Sequence, residues 1–137
     1  MNTEIIHETA HRTHAGTIAF PDVVRSLLAA GVEFYHVDYI ARRQVCYAAA
    51  GSTTVATPIP FEGLPAVAAD FDAAALQAAI ADSQRHGQSY RDFTRRAMAA
   101  GVQGYFAFLR GQRVTYFSRQ GDQHTEWFPG AQPVARL

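Results

Sequence analysis

The chain has 137 residues, 48% hydrophobic and 18% charged, with twelve acids balanced by twelve basic residues. That length and balance suit one folded domain with a real core and exclude a disordered chain. No apolar run approaches the ~18–20 residues that span a bilayer, and a formal net charge of zero gives no bulk support to a nucleic-acid role.

Every basic residue is arginine, and with the alanine excess this points to a GC-rich bacterial genome. The stretch Met1 to His11 lacks the basic start and apolar middle of a signal peptide. Cys46 is the one cysteine and has no partner for an internal disulfide, so a cytoplasmic setting is expected. Charge is spread unevenly. Residues 1–84 hold four arginines against nine acids, a net of −5, and residues 85–137 hold eight arginines against three acids, a net of +5. Such asymmetry predicts attraction between the halves or between two molecules.

In chain order, a first helix is expected over about 3–14, stopped by Gly16, and a second over about 20–30, ending at Gly31. Three short strands follow at about 33–39, 43–48 and 53–59. Pro58, Pro60, Pro65 and Gly63 mark a linker from about 57 to 69. A third helix over about 72–84, with Asp70 or Asp72 as its N-cap, stops at Gly87. A fourth, about 90–100, ends at Gly101. Strands at about 103–109, 112–118 and 122–128 are joined by turns at Arg110-Gly111 and Gly121-Asp122.

This order repeats. Shifting the chain by 70 residues lays Phe20-Pro21-Asp22 on Tyr90-Arg91-Asp92, Arg25 on Arg95, Ala29-Ala30-Gly31-Val32 on Ala99-Ala100-Gly101-Val102, Tyr35 on Tyr105 and Arg43 on Arg113. The expected fold is α+β: an internally duplicated helix–helix–three-strand unit in one domain, spanning residues 1–137, with an antiparallel sheet of about six strands and the helices on one face. The alternative is two three-stranded sheets facing each other.

The run Ala-Gly-Val-x-x-Tyr, the Arg-x-Val-x-Tyr that ends at Tyr47, and Gly121-Asp122-Gln123-His124-Thr125-Glu126-Trp127-Phe128-Pro129 resemble the YbcV-like family of uncharacterised bacterial proteins (domain of unknown function 1398). Some of its members carry the label phage envelope protein. The resemblance covers about residues 15–130 and implies no activity, cofactor or catalytic residue.

His7-Glu8-Thr9-Ala10-His11 matches the H-E-x-x-H helix of zinc proteases. Helical spacing, however, gathers Ile5, Ile6, Thr9, Ala10 and Thr13 on one side and turns His7, His11 and His14 to solvent, so neither metal nor catalytic residue is assigned. Strand alternation offers another group. If Tyr35 and Tyr105 meet the helices, the other sheet face carries His36, Asp38, Phe106 and Phe108. It also carries His124 and Glu126 if the register allows, giving two His–carboxylate pairs for a ligand, a metal or proton transfer. Ordinary residues on a wet sheet face are the plainer reading. Phe34, Phe106, Phe108 and Phe128 would form an apolar patch that a homodimer, another partner or a small molecule would cover. Arg91, Arg95 and Arg113 are a candidate basic patch for nucleic acid or an acidic partner, against a solvated helix face. Cys46 reads as a buried apolar group. The leading expectation is a non-enzymatic interaction protein acting as a homodimer, without a cofactor. A small-molecule site using the His and carboxylate group comes second and nucleic acid third.

Overall fold

A computed structural model describes residues 1–131. Its elements run α1 (Thr3–Ala15), α2 (Phe20–Ala29), β1 (Val32–Asp38), β2 (Arg43–Ala48), β3 (Thr54–Pro58), α3 (Ala73–His86), α4 (Tyr90–Ala99), β4 (Val102–Phe108), β5 (Arg113–Ser118) and β6 (Gln123–Trp127). This is an α+β fold in which a helix–helix–three-strand unit occurs twice.

Local chemistry explains the helix ends. Asn2 caps α1 through Ile5 N, and Asp72 caps α3 through Ala75 N. Ser89 caps α4 through Asp92 N, whereas α2 opens on Ala19 without a side-chain cap and relies on Pro21 in its first turn. Such caps satisfy backbone N–H groups that a helix start leaves unpaired. Gly16 and Gly87 close α1 and α3 in the left-handed conformation, which glycine adopts without a Cβ penalty.

All six strands form one sheet in the order β3-β2-β1-β4-β5-β6, so the two meanders join edge to edge through β1 and β4. Both pair antiparallel, with His36 opposite Phe106 and Phe34 opposite Phe108. Under the 70-residue shift, 36 and 106 are also equivalent positions. They are the one pair in this register that is both equivalent and directly opposed, so the twofold relation between the units passes between them. Backbone hydrogen bonds obey the same relation: Tyr39 N donates to Gln103 O, and Leu109 N donates to Glu33 O. So do the turns, where Arg42 and Gln112 both have positive φ, at 59° and 56°.

One side of the sheet packs on the helices. Its floor is Val32, Tyr35, Val37, Tyr39, Cys46, Val102, Tyr105, Ala107, Leu109, Val114 and Tyr116, all buried. Ile6, Leu27, Leu76, Phe93, Ala97 and Met98 close it from the helices. The stretch after β3 also belongs to the core, because Ile59 is buried and Phe61, Leu64, Val67 and Phe71 pack against it. No helix among the described residues is long and apolar enough to cross a membrane.

A bulge recurs in both units, between Val32 and Phe34 and between Val102 and Gly104. It lets Val32 and Val102 face the core although strict alternation from Tyr35 and Tyr105 would turn them away.

Candidate functional site

The side of the sheet without helices is laid out by register. From β3 to β6 one row reads Thr54, Tyr47, Phe34, Phe108, Arg113, Trp127; the next reads Ala56, Val45, His36, Phe106, Thr115, Thr125; the third reads Pro58, Arg43, Asp38, Gly104, Phe117, Gln123. Five residues expected on this side are there together: Phe34, His36, Asp38, Phe106 and Phe108. Tyr47, Phe117 and Trp127 join them. Their side depends on hairpin register, and Trp127 takes the open face in place of Glu126 and Phe128.

The rings shield one another and are half-buried. Phe34 stacks on Tyr47 with centroids 4.6 Å apart and planes 12° from parallel, and His36 stacks on Phe106 at 4.3 Å and 11°. Phe106 and Phe108 are parallel within 12° at 5.9 Å. Rings stacked face to face across strands stand upright and turn their edges outward. Arg113 lies over Trp127, 4.8 Å from its ring centre, a cation–π contact.

Charge on this face is sparse. Asp38 is opposite Arg43, and its Oδ1 accepts hydrogen bonds from Ile40 N and Ala41 N, both 2.9 Å, so it ties down the β1–β2 turn. At the far end Arg110 approaches Glu33 at 3.8 Å, an ion pair that bridges the acidic and basic halves, as Arg96 and Asp82 do on the helix side at 2.6 Å. Burial lowers the proton affinity of His36 below its ordinary value; Asp38 raises it and Arg43 lowers it further. Two shallow hollows open here. One of about 340 Å³ is lined by Glu33, Phe34, Phe108, Arg110, Gly111 and Arg113. Another of about 220 Å³ lies over Gly104, between His36, Phe106 and Phe117.

The second hollow exists because Gly104 occupies the position equivalent to Phe34. A Cβ at Gly104 would lie 2.3 Å from Val37 O, so the close approach of β1 requires glycine.

His124 and Glu126 are not on this face. His124 is opposite Tyr116 and Glu126 opposite Val114, both buried on the helix side, so the four-residue His–carboxylate group does not converge. The reason is one residue of loop. Five residues join β2 to β3 and four join β5 to β6. β6 is therefore equivalent to β3 at a shift of 69, and a shift of one residue exchanges the two faces. Phe128 moves with them and packs edge-on against Phe20 at 5.1 Å. His124 Nε2 and Glu126 Oε1 bond to each other at 3.1 Å, with side chains 21% and 37% exposed. They stay accessible on the helix side because α1 packs on β3 while α3 makes no comparable contact with β6.

The candidate basic patch also separates. Arg91 and Arg95 are on α4, where Arg91 donates to Glu62 O at 2.8 Å, whereas Arg113 is on the open side of the sheet. Of the three histidines expected in solvent on α1, His7 and His11 are exposed. His14 instead is half-buried, edge-on to Phe61 at 5.3 Å, and burial lowers its proton affinity. Among the described residues no group of three or more His, Cys, Asp or Glu is placed to hold a metal. Cys46 is buried, and burial raises its thiol pKa.

The family described as "Protein of unknown function (DUF1398)" matches residues 19–126, most of the chain. The chain belongs to the DUF1398 family. The matched segment starts just before α2 and ends within β6, so it covers β1 to β5, most of β6 and the open face apart from Trp127. No curated protein matches the chain.

Proposed function

We propose that this DUF1398 protein is a non-enzymatic interaction protein of the bacterial cytoplasm, a tandem duplicate that works as a homodimer joined through the open face of its sheet. One observation carries the reading. A sheet covered by helices on one side presents Phe34, Tyr47, Phe106, Phe108, Phe117 and Trp127 on the other, with Asp38 the one carboxylate in its three rows. Apolar surface of that extent is favourable to cover, at about 25 cal/mol per Å² removed from water.

The stacking argues for a protein partner over a single-stranded nucleic acid. Base recognition on a sheet needs ring faces free to stack, and here the faces of Phe34, Tyr47, His36 and Phe106 are occupied by one another. Upright edges can mesh with a second corrugated surface. The hollows are open and shallow, unlike pockets that enclose most of a small ligand.

Sedimentation velocity of the full chain at micromolar concentration and pH 8 tests this. The expected wild-type species is a dimer. Phe106→Arg gives a folded monomer, and Leu28→Arg on exposed α2 leaves the dimer intact. A wild-type monomer across the micromolar range would sink the reading.

A further inference from the structure

The size of the open face restricts how two copies can meet. Six strands at ~4.8 Å spacing and five to seven residues per strand at ~3.3 Å give a face of about 600 Å² per copy. Full overlap of two such faces buries roughly 1,200 Å², near the lower end for a specific interface, and half overlap falls to the size of an adventitious contact. A stable pair therefore needs the whole face, and whole-face overlap superimposes the two centres whatever the angle between the sheets. The centre is where the twofold relation between the units passes: the stacked pair of His36 and Phe106.

We infer that two copies meet centre to centre on the His36–Phe106 pair, and that protonation of His36 parts them. This rests on the dimer reading above. Centre-to-centre overlap about a twofold axis that lies between the sheets and runs across the strands sets each His36 against the other copy's His36.

The groups around His36 are few. On its own strand they are Phe34 and Asp38; on β2 they are Val45, with Arg43 beyond it; on β4 they are Phe106, flanked by Gly104 and Phe108; and on β5 the row continues to Thr115. The one carboxylate, Asp38, is held by the Ile40 and Ala41 amides and opposed by Arg43. The partner copy supplies the same set, so it brings no new counter-charge. Two imidazolium ions would then face each other in a covered apolar centre, and burying an unpaired charge is costly. Neutral His36 stacked on Phe106 meets no such penalty. The sign follows: dimerisation favours neutral His36, so affinity is full above the ordinary histidine range near pH ~6.5 and falls as pH drops through the monomer's His36 pKa, which burial places below that range.

Sedimentation velocity of the full chain at pH 8 and pH 5.5, with circular dichroism to confirm the fold at both, reads the effect. For wild type, Kd should rise between the two by up to about 100-fold, the ceiling of one decade for each histidine that the dimer keeps neutral one pH unit below its monomer pKa. His36→Gln should dimerise at both pH values, and His36→Arg should stay monomeric at both. In His36→Cys the new thiol is accessible while Cys46 is fully buried, and a short bis-maleimide should link two copies through position 36. A wild-type monomer at pH 8 defeats the dimer reading and this inference together. A dimer indifferent to pH, or a His36→Gln dimer that still weakens at pH 5.5, overturns the gate and leaves the dimer standing. A dimer that the bis-maleimide does not link overturns the centre-to-centre arrangement.

Discussion

The two units share a backbone and differ in what they bury. Their β1–β2 and β4–β5 turns, their bulges and their connecting hydrogen bonds coincide. Gly31 and Gly101 have φ near 90°, and Asn2 N and Asp72 N donate to Ala30 O and Ala100 O. Side chains diverge on both sides of the sheet, and on the helix side the divergence changes polarity. Where the first unit has Phe20, Val24, Cys46 and Val55, the second has Tyr90, Thr94, Tyr116 and His124. At Tyr90, Thr94 and Tyr116 the second unit thus carries hydroxyls where the first has apolar groups, while Tyr39 and Leu109 show the reverse. Tyr90 and Tyr105 bond through their hydroxyls at 2.8 Å, and Tyr35, Tyr39 and Tyr116 gather around Tyr105. A common chain path thus accommodates two core chemistries, because backbone geometry and core polarity are set by different residues. Exchanging residues between equivalent positions tests this separation directly.

The largest effect is expected where backbone and side chain are not separable. Gly104→Phe gives the second unit the residue that the first has at Phe34. Its Cβ would meet Val37 O at 2.3 Å, so β1 and β4 must part at the centre of the sheet. The expected loss exceeds about 3 kcal/mol, read by urea denaturation as a large fall in midpoint. The reciprocal Phe34→Gly costs about 2 kcal/mol, the sum of a lost stack on Tyr47 and glycine's poor strand propensity. Equal losses from both exchanges would contradict the asymmetry of the β1–β4 contact.

A middle-sized effect is expected at Tyr90→Phe, which gives the second unit the first unit's ring. Tyr105 is 6% exposed and would keep a hydroxyl without its 2.8 Å partner. Leaving such a group unpaired costs about 1–2 kcal/mol. pH sharpens the test. Burial pushes the Tyr90 phenol up to about 12, and it raises Tyr35, Tyr39, Tyr105 and Tyr116 as well. Their folded pKa values lie above the unfolded value near 10, so their contribution is complete below pH ~10 and is lost as pH rises through and beyond it. Alkaline titration followed at the tyrosinate absorbance should show these phenols ionising together with unfolding, and Tyr90→Phe should bring that transition to lower pH. Independent ionisation near 10 without unfolding would show the cluster to be open to solvent.

How much of this was readable beforehand follows the same division. Element order, glycine stops, the α+β class and the membership of Tyr35 and Tyr105 in one layer follow from periodicity, since apolar spacing directly reports which side is buried. Two features were hidden because both are counts of one residue. The bulge at Glu33 and Gln103 turns Val32 and Val102 inward, and the β5–β6 loop, one residue shorter than its counterpart, carries His124, Glu126 and Phe128 to the helix side. Alternation within a strand cannot reveal either; only the pairing of strands does. The edge Phe128 makes with Phe20 and the partial burial of His14 depend on how distant segments pack, which no local pattern reports. The open-face group of His36, Asp38, Phe106 and Phe108 was legible because β1 and β4 are equivalent at the 70-residue shift.

The smallest effect has the opposite sign. Thr94 is fully buried, and its hydroxyl approaches Tyr39 and Tyr90 without completing a hydrogen bond to a side chain or backbone among the described residues; Tyr39 Oη is likewise unpartnered. The first unit has Val24 at the equivalent place. Thr94→Val keeps the branched shape on α4 and removes a buried polar atom that gains nothing in return. It should stabilise the fold by about 1 kcal/mol, or a rise in Tm of ~3–4 °C for a chain of this size. Differential scanning calorimetry resolves that shift. A fall in Tm would mean that the Thr94 hydroxyl is engaged in the tyrosine cluster, and that the second unit's polar core is a cooperating network and not a set of tolerated substitutions on the first unit's plan.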